Sequence, residues 1–220
     1  MSVVVASDTK EAILDAAEAV FAEMGFARAS IRQIVAAAGV NLAAIHYHFG
    51  SKDALIEAVF TRCIGPINAR RLELLEALEA EHAKGPLPVA AVMEAFLEPM
   101  QEMRESKAKG ARMARLYGRL VGESTEALHR MLSRQFGNVV KRFSAALKRS
   151  LPAVSEDDLM WRFYFTVGAA AHLMMDPPGL KKLSRGRCDP DEVDVALQQL
   201  VRFASAGMAA PSGDGKGERT

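Results

Sequence analysis

Two imidazoles and three permanent cations share a stretch that holds no carboxylate. From Met24 to Lys52 the chain carries Arg28, Arg32, Lys52, His46 and His48, and neither Asp nor Glu. Two chemistries suit such a set. The first is metal ligation by His46 and His48, as in hydrolases whose paired histidines hold a metal. Positions i and i+2 share a side on a strand, but on a helix they point about 200° apart. No cluster of Asp, Glu or His elsewhere completes a metal site. The second chemistry is phosphate docking, which needs local positive charge. The preceding segment carries Asp8, Glu11, Asp15, Glu18 and Glu23 against Lys10, so the positive charge is local to this stretch.

The elements that position these residues are two short helices. Ser30 is an N-cap, whose hydroxyl takes a free amide of the first turn. Ile31, Ile34, Val35 and Ala38 recur at helical spacing. Gly39 stops this helix, Val40 plugs the turn and Asn41 caps a second helix over Leu42–Phe49. Gly50 ends it, and Ser51 caps a third helix from Lys52. A helix, a short turn containing Gly and a second helix form a helix-turn-helix, whose second helix enters the DNA major groove. On this reading Ser30, Arg32, His46, Tyr47, His48 and Lys52 meet phosphates, which set register. Leu42, Ala43 and Ala44 face bases, where methyl groups read the thymine methyl. Arg28 lies near the DNA backbone.

The stretch resembles the DNA-binding domain of the TetR family of transcriptional regulators. The matching residues are Ile34–Val35–Ala36, Ala38–Gly39–Val40, Tyr47–His48–Phe49, and Lys52 with Leu55, behind a first helix from Thr9 to Met24. One departure is His46, where the family usually has an aromatic, most often Tyr. A phosphate contact through His46 is expected to be weaker and pH-sensitive.

The 220 residues carry a formal net charge of +1, and half are apolar, enough for one or two domains. No run of eighteen or more apolar residues marks a membrane span. The first residues, MSVVVASDTK, lack the basic start and the length of a signal peptide. Cys63 and Cys188 have no paired spacing, which suits a reduced cytoplasm. Neither a metal nor another cofactor is expected, nor a membrane partner.

In chain order, residues 1–7 read as a frayed arm, followed by a helix from Asp8 or Thr9 to Met24. A long helix runs from Lys52 to about Lys84, with a kink or break expected at Gly65–Pro66. Further helices are expected over 89–106 with Pro99 inside, over 108–121, over 124–150 and, behind Ser155, to about Met175. Asp176–Pro177–Pro178–Gly179 breaks the last of these, and a final helix runs from Asp189–Glu192 to about Met208. The fold class is all-α: an N-terminal three-helix helix-turn-helix domain (1–52), a C-terminal helical bundle for ligand binding and dimerisation (53–210), and a disordered tail (211–220), which is too polar to fold.

A single helix-turn-helix sees few base pairs, so a homodimer on a palindromic operator is expected. Gly168–Ala171 with Val193, Leu197, Leu200, Val201 and Ala204 is the expected interface. A second task for the bundle is to hold a small apolar or amphipathic effector. Phe96, Met100, Met103, Leu116, Trp161 and Phe165 are candidates for its apolar body, since Met adapts to flexible ligands. Arg115, Arg119 and His172 are candidates for an acidic headgroup. The run Asn41–Lys52, together with Arg115–Leu120 and Gly186–Asp189, resembles the PsrA-like branch of the family, which implies a long-chain fatty acid or acyl-CoA. The expected function is therefore a ligand-responsive repressor and not an enzyme. The alternatives are an all-α ligand-binding adaptor without DNA binding and, remotely, a His46/His48 metalloenzyme.

Overall fold

A computed structural model describes residues 2–101, 107–123, 125–175 and 177–212, and the side chains of 8–101, 110–120, 123, 125–174 and 179–212. The described residues form ten α-helices, one 3-10 turn and no strand. The helices are α1 (Ser2–Met24), α2 (Ile31–Ala38), α3 (Leu42–Phe49), α4 (Lys52–Glu81), α5 (Val89–Leu97), α6 (Lys107–Gly122), α7 (Glu126–Ser150), α8 (Glu156–Met175), α9 (Pro177–Leu183) and α10 (Val193–Ala209).

The all-α expectation holds, and the differences lie at breakers and ends. α1 begins at Ser2, not at Asp8 or Thr9, because no Gly or Pro in SVVVASDT stops the helix from extending backwards. α4 runs unbroken through Gly65 and Pro66 and ends at Glu81. The proline removes one bond to the carbonyl four residues back, while buried Phe60, Ile67 and Leu75 hold the helix on both sides of it. Pro99 has the opposite outcome: α5 stops at Leu97 and a 3-10 turn spans Glu98–Met100. Prolines 177 and 178 do not simply break the chain. They open the short helix α9, where the first-turn amides need no partner. α7 starts at Glu126, and the Thr125 hydroxyl accepts the Leu128 amide at 3.3 Å. Pro211 and Ser212 have no regular structure, and the rest of the expected tail, 213–220, lies outside the described residues.

The chain divides into two compact units: residues 1–67 with 106–136, and 68–105 with 137–220. In the first, α1 packs on α2, α3 and α6. Its core includes Ile13, Phe21, Phe26, Ile34, Ile45, Leu55, Val59 and Leu116. The acidic stripe of α1 is consumed here. Glu11, Asp15 and Glu18, spaced i, i+4, i+7, surround Arg62 at 3.2, 2.8 and 2.6 Å, and Glu18 also takes Arg112 at 3.3 Å. Arg134 donates to both oxygens of Glu57 at 2.9 and 2.8 Å. Cys63 is half-buried with its thiol 3.7 Å from Glu18, and burial, followed by that carboxylate, pushes the thiol up to about 12. Cys188, in the other unit, is exposed.

In the second unit α10 packs on α5 and α8. The Phe96 ring sits 5.3 Å from Phe143 and 4.7 Å from Phe163, with the Arg71 guanidinium 4.2 Å above it. Arg71 is buried. It donates to Phe96 O at 2.8 Å and to Asn68 Oδ1 at 3.0 Å, and loss of water pushes its guanidinium down to about 10. It serves the last turn of α5, whose carbonyls lack helical partners. Of the residues expected between subunits, Ala170 and Ala204 are buried in this unit's core, and Leu197, Leu200 and Val201 are half-buried against it. The large apolar side chains left exposed in this unit are Met160, Trp161, Tyr164 and Phe165 on α8, Leu180 and Leu183 on α9, and Val195 and Phe203 on α10. Helical periodicity alone does not say which of two apolar faces turns inward.

Candidate nucleic-acid interface

The helix-turn-helix is built by its caps. Ser30 Oγ accepts the Gln33 amide at 3.3 Å, while the Ser30 amide and hydroxyl both donate to Gln33 Oε1 at 2.8 Å. This reciprocal pair is a capping box. Gly39 follows at φ 65°, ψ 28°, the left-handed stop that a side chain strains. Asn41 Oδ1 accepts the Ala44 amide at 2.9 Å to start α3, and Ser51 Oγ accepts the Ala54 amide at 3.1 Å to start α4. Since the hydroxyl of Ser30 is committed to its cap, Ser30→Ala is expected to cost about 1 kcal/mol of stability, read by chemical denaturation.

These caps aim one face of α3 outward. Ile45 is buried, while Leu42, Ala43, His46 and Tyr47, spaced i, i+1, i+4, i+5, are exposed, Tyr47 by 83%. Ala44 is half-buried and packs on the core. Arg32 on α2 and Arg28 before it are exposed as well. The Tyr47 ring stands edge-on to half-buried His48 at 5.0 Å. His46 Nδ1 lies 3.2 Å from Gly50 O. In the tautomer that donates there, Nε2 is an acceptor, so His46 offers a phosphate a proton only as the imidazolium. Lys52 Nζ donates to Ala27 O at 3.4 Å. Among the described residues no three His, Cys, Asp or Glu side chains come together in a way that could hold a metal.

The turn between α1 and α2 is held from several sides. Gly25 follows the helix at φ 83°. Arg119 Nη2 donates to Glu23 O at 2.7 Å, Arg28 Nε donates to Met24 O at 3.2 Å, and the Ala27 amide donates to Glu123 Oε2 at 2.6 Å. Beside it opens a cleft of about 440 Å³ lined by Phe26, Lys52, Ile56, Glu57, Glu123 and Arg134 among others.

The candidate effector residues are scattered. Phe96 is in the second unit's core, and Met100 lines a small cleft there with Leu97, Ala170, Met174, Leu197 and Leu200. That cleft encloses about 20 Å³, the room of roughly one water. Leu116 is fully buried in the first unit's core, Arg119 holds the end of α1, and Arg115 is exposed. Trp161 and Phe165 are 60% and 59% exposed, and His172 is exposed too. Met103 lies outside the described residues.

A family profile described as "Tetracyclin repressor-like, C-terminal domain" matches residues 94–207, over half of the chain. A second, "Bacterial regulatory proteins, tetR family", matches residues 13–59. The chain belongs to the TetR family. The N-terminal profile covers the whole capped helix-turn-helix and the first turns of α4. The chain is 41% identical over 54 residues to the A-factor receptor protein of Streptomyces griseus, covering 24% of this chain and 20% of that protein. It is 39% identical over 61 residues to the transcriptional repressor BepR of Brucella suis biovar 1 (strain 1330), covering 28% and 29%. It thus spans less than a third of the length of either relative. The solved structure of NalD, secondary repressor of the MexAB-OprM multidrug efflux pump in Pseudomonas aeruginosa, matches with a TM-score of 0.64 at 21% identity, over 91% of this chain and 95% of that one. At that identity the likeness concerns the fold.

Gln33 and Glu123 are functional residues that the expectations above do not include. Gln33 had a local signal, three residues after Ser30. Glu123 had none, because its partner lies 96 residues away. No described helix is long and apolar enough to cross a membrane.

Proposed function

We propose that this protein is a cytoplasmic, homodimeric repressor of the TetR type that binds a palindromic double-stranded operator and releases or engages it in response to a small effector. The supporting observation is the exposed face of α3, with Leu42, Ala43, His46 and Tyr47 outward on a stretch, residues 24–52, that holds no Asp or Glu. Arg28, Arg32 and Lys52 supply phosphate contacts, with Tyr47 and His48. Residues 1–52 form the DNA-reading part, and the bundle from 53 to 210 serves dimerisation and the effector. The homodimer reading is supported by the exposed aromatics of α8, because large apolar patches mark association surfaces.

For the effector we propose a long-chain fatty acid or acyl-CoA. Its support is the sequence resemblance in Arg115–Leu120 and Gly186–Asp189, together with the apolar cleft that holds Met100 and Met174. Methionine side chains rearrange readily, so a small cleft lined by them can widen around a flexible chain. The effector moves the equilibrium only by its differential affinity for two conformations.

The test is selection of genomic fragments on the purified protein at physiological salt, repeated with oleoyl-CoA and with oleate. Enrichment of a palindrome that lipid alters supports both readings. A palindrome insensitive to lipid removes the effector class. No enrichment favours the adaptor without DNA binding. On the selected site, Arg32→Ala is expected to weaken binding to all sequences alike and to reduce the salt slope by about one unit. An unchanged slope in a titration over salt removes Arg32 from the phosphate contacts.

A further inference from the structure

We infer that Glu123, aided by Arg119, is a positioning latch that sets the α1–α2 turn and through it the helix-turn-helix for DNA. The inference rests on the DNA-binding reading. Its geometry is short-range. Glu123 Oε2 accepts the Ala27 amide at 2.6 Å, the length of a charge-assisted bond. Its other oxygen is packed against Gly25 so closely that a Cβ there would collide with it. Arg119, one helical turn earlier, donates to Glu23 O at 2.7 Å. Two side chains near the end of α6 therefore grip both sides of a five-residue segment, Glu23 to Ala27.

That segment leads directly into the DNA-facing groups. Arg28 is the next residue and bonds back to Met24 O at 3.2 Å. Gln33, the second half of the capping box, also donates to Met24 Sδ at 3.2 Å. Lys52 reaches Ala27 O from the start of α4. The same turn thus ties Arg28, the start of α2 and the start of α4. Glu123 is otherwise misplaced: it puts a negative charge near a surface meant for phosphates. Simple electrostatics predicts that its removal tightens DNA binding. The latch predicts the reverse.

The experiment uses the full-length protein with Glu123→Ala, Glu123→Gln and Arg119→Ala. Two measurements are made: exchange of the Ala27 amide, and affinity for the selected genomic fragment against a mixed-sequence duplex. Glu123→Ala is expected to speed Ala27 exchange and weaken binding to the selected fragment, each by about tenfold, the scale of one charged hydrogen bond. Binding to mixed-sequence DNA is expected to hold or tighten, since a negative charge is gone. Glu123→Gln keeps an acceptor oxygen and is expected to recover most of both losses, and Arg119→Ala to weaken selected binding in the same direction. Unchanged Ala27 exchange in Glu123→Ala overturns the latch, as does tighter binding to both DNAs. If the unaltered protein enriches no fragment, the DNA-binding reading fails, and the latch fails with it as a device for DNA. The Ala27 exchange still reports whether the contact exists. Should Glu123→Ala fail to fold, Glu123→Gln and Arg119→Ala decide through the same two measurements.

Discussion

Trp161→Glu combined with Phe165→Glu is expected to yield a folded monomer that has lost most of its operator affinity. Both rings stand on one face of α8, stacked with centroids 5.7 Å apart at 29°, and Tyr164 adjoins each of them. Three neighbouring aromatics at 60, 69 and 59% exposure are a heavy apolar load for a surface facing water. If a second copy covers them, each glutamate places an uncompensated charge in a dry interface, at several kcal/mol per site. Two sites in each of two subunits weaken the dimer by at least about a thousandfold. Because neither ring belongs to the core, the fold itself is expected to keep its melting temperature. Sedimentation at micromolar concentration separates the outcomes. A double variant that still sediments as a dimer refutes this use of α8, and a monomer that keeps full operator affinity refutes the need for two half-sites.

Gly25→Ala is the second change with a large expected effect, here on stability and binding together. The residue sits at φ 83°, which costs alanine about 1–2 kcal/mol. Its new methyl group also needs the place that Glu123 occupies, so the Ala27 bond is lost or bent, at a further cost of about 1–2 kcal/mol. A total of about 2–4 kcal/mol is expected in thermal unfolding, since the two costs act on one turn. The double variant with Glu123→Ala distinguishes the two causes. With no carboxylate to meet, the added methyl should then cost only the backbone part. Equal cost in both backgrounds would mean that Glu123 and Gly25 do not interact.

The sequence was most legible where the signals are local. Ser30, Gly39, Asn41 and Ser51 lie within a few residues of the groups they cap, so α2, α3 and the start of α4 could be placed to the residue. It was least legible where a choice depends on distant parts of the chain. Pro66 is tolerated because apolar residues before and after it are anchored, whereas Pro99 ends α5. Nothing in the two prolines' immediate neighbours separates these fates. Leu197, Leu200, Val201 and Ala204 form a regular stripe that packs against the second unit's core, Ala204 fully and the others in part, while Phe203 stays exposed. Arg119 is expected to serve an acidic headgroup, and that expectation stays with the proposed function. Its guanidinium also donates to the carbonyl end of α1, a contact that no spacing announces. The DNA-facing residues and the division into 1–52 and 53–210 stand as part of the proposed function.

The unequal cysteines have a practical consequence. Half-buried and with its thiol pushed up to about 12, Cys63 stays in the unreactive thiol form at neutral pH. Cys188 is exposed to solvent between α9 and α10. A maleimide dye should therefore attach at one position per chain without any mutagenesis. If the chain dimerises as proposed, a mixture of donor-labelled and acceptor-labelled protein shows energy transfer that grows with mixing time and collapses in the α8 double variant.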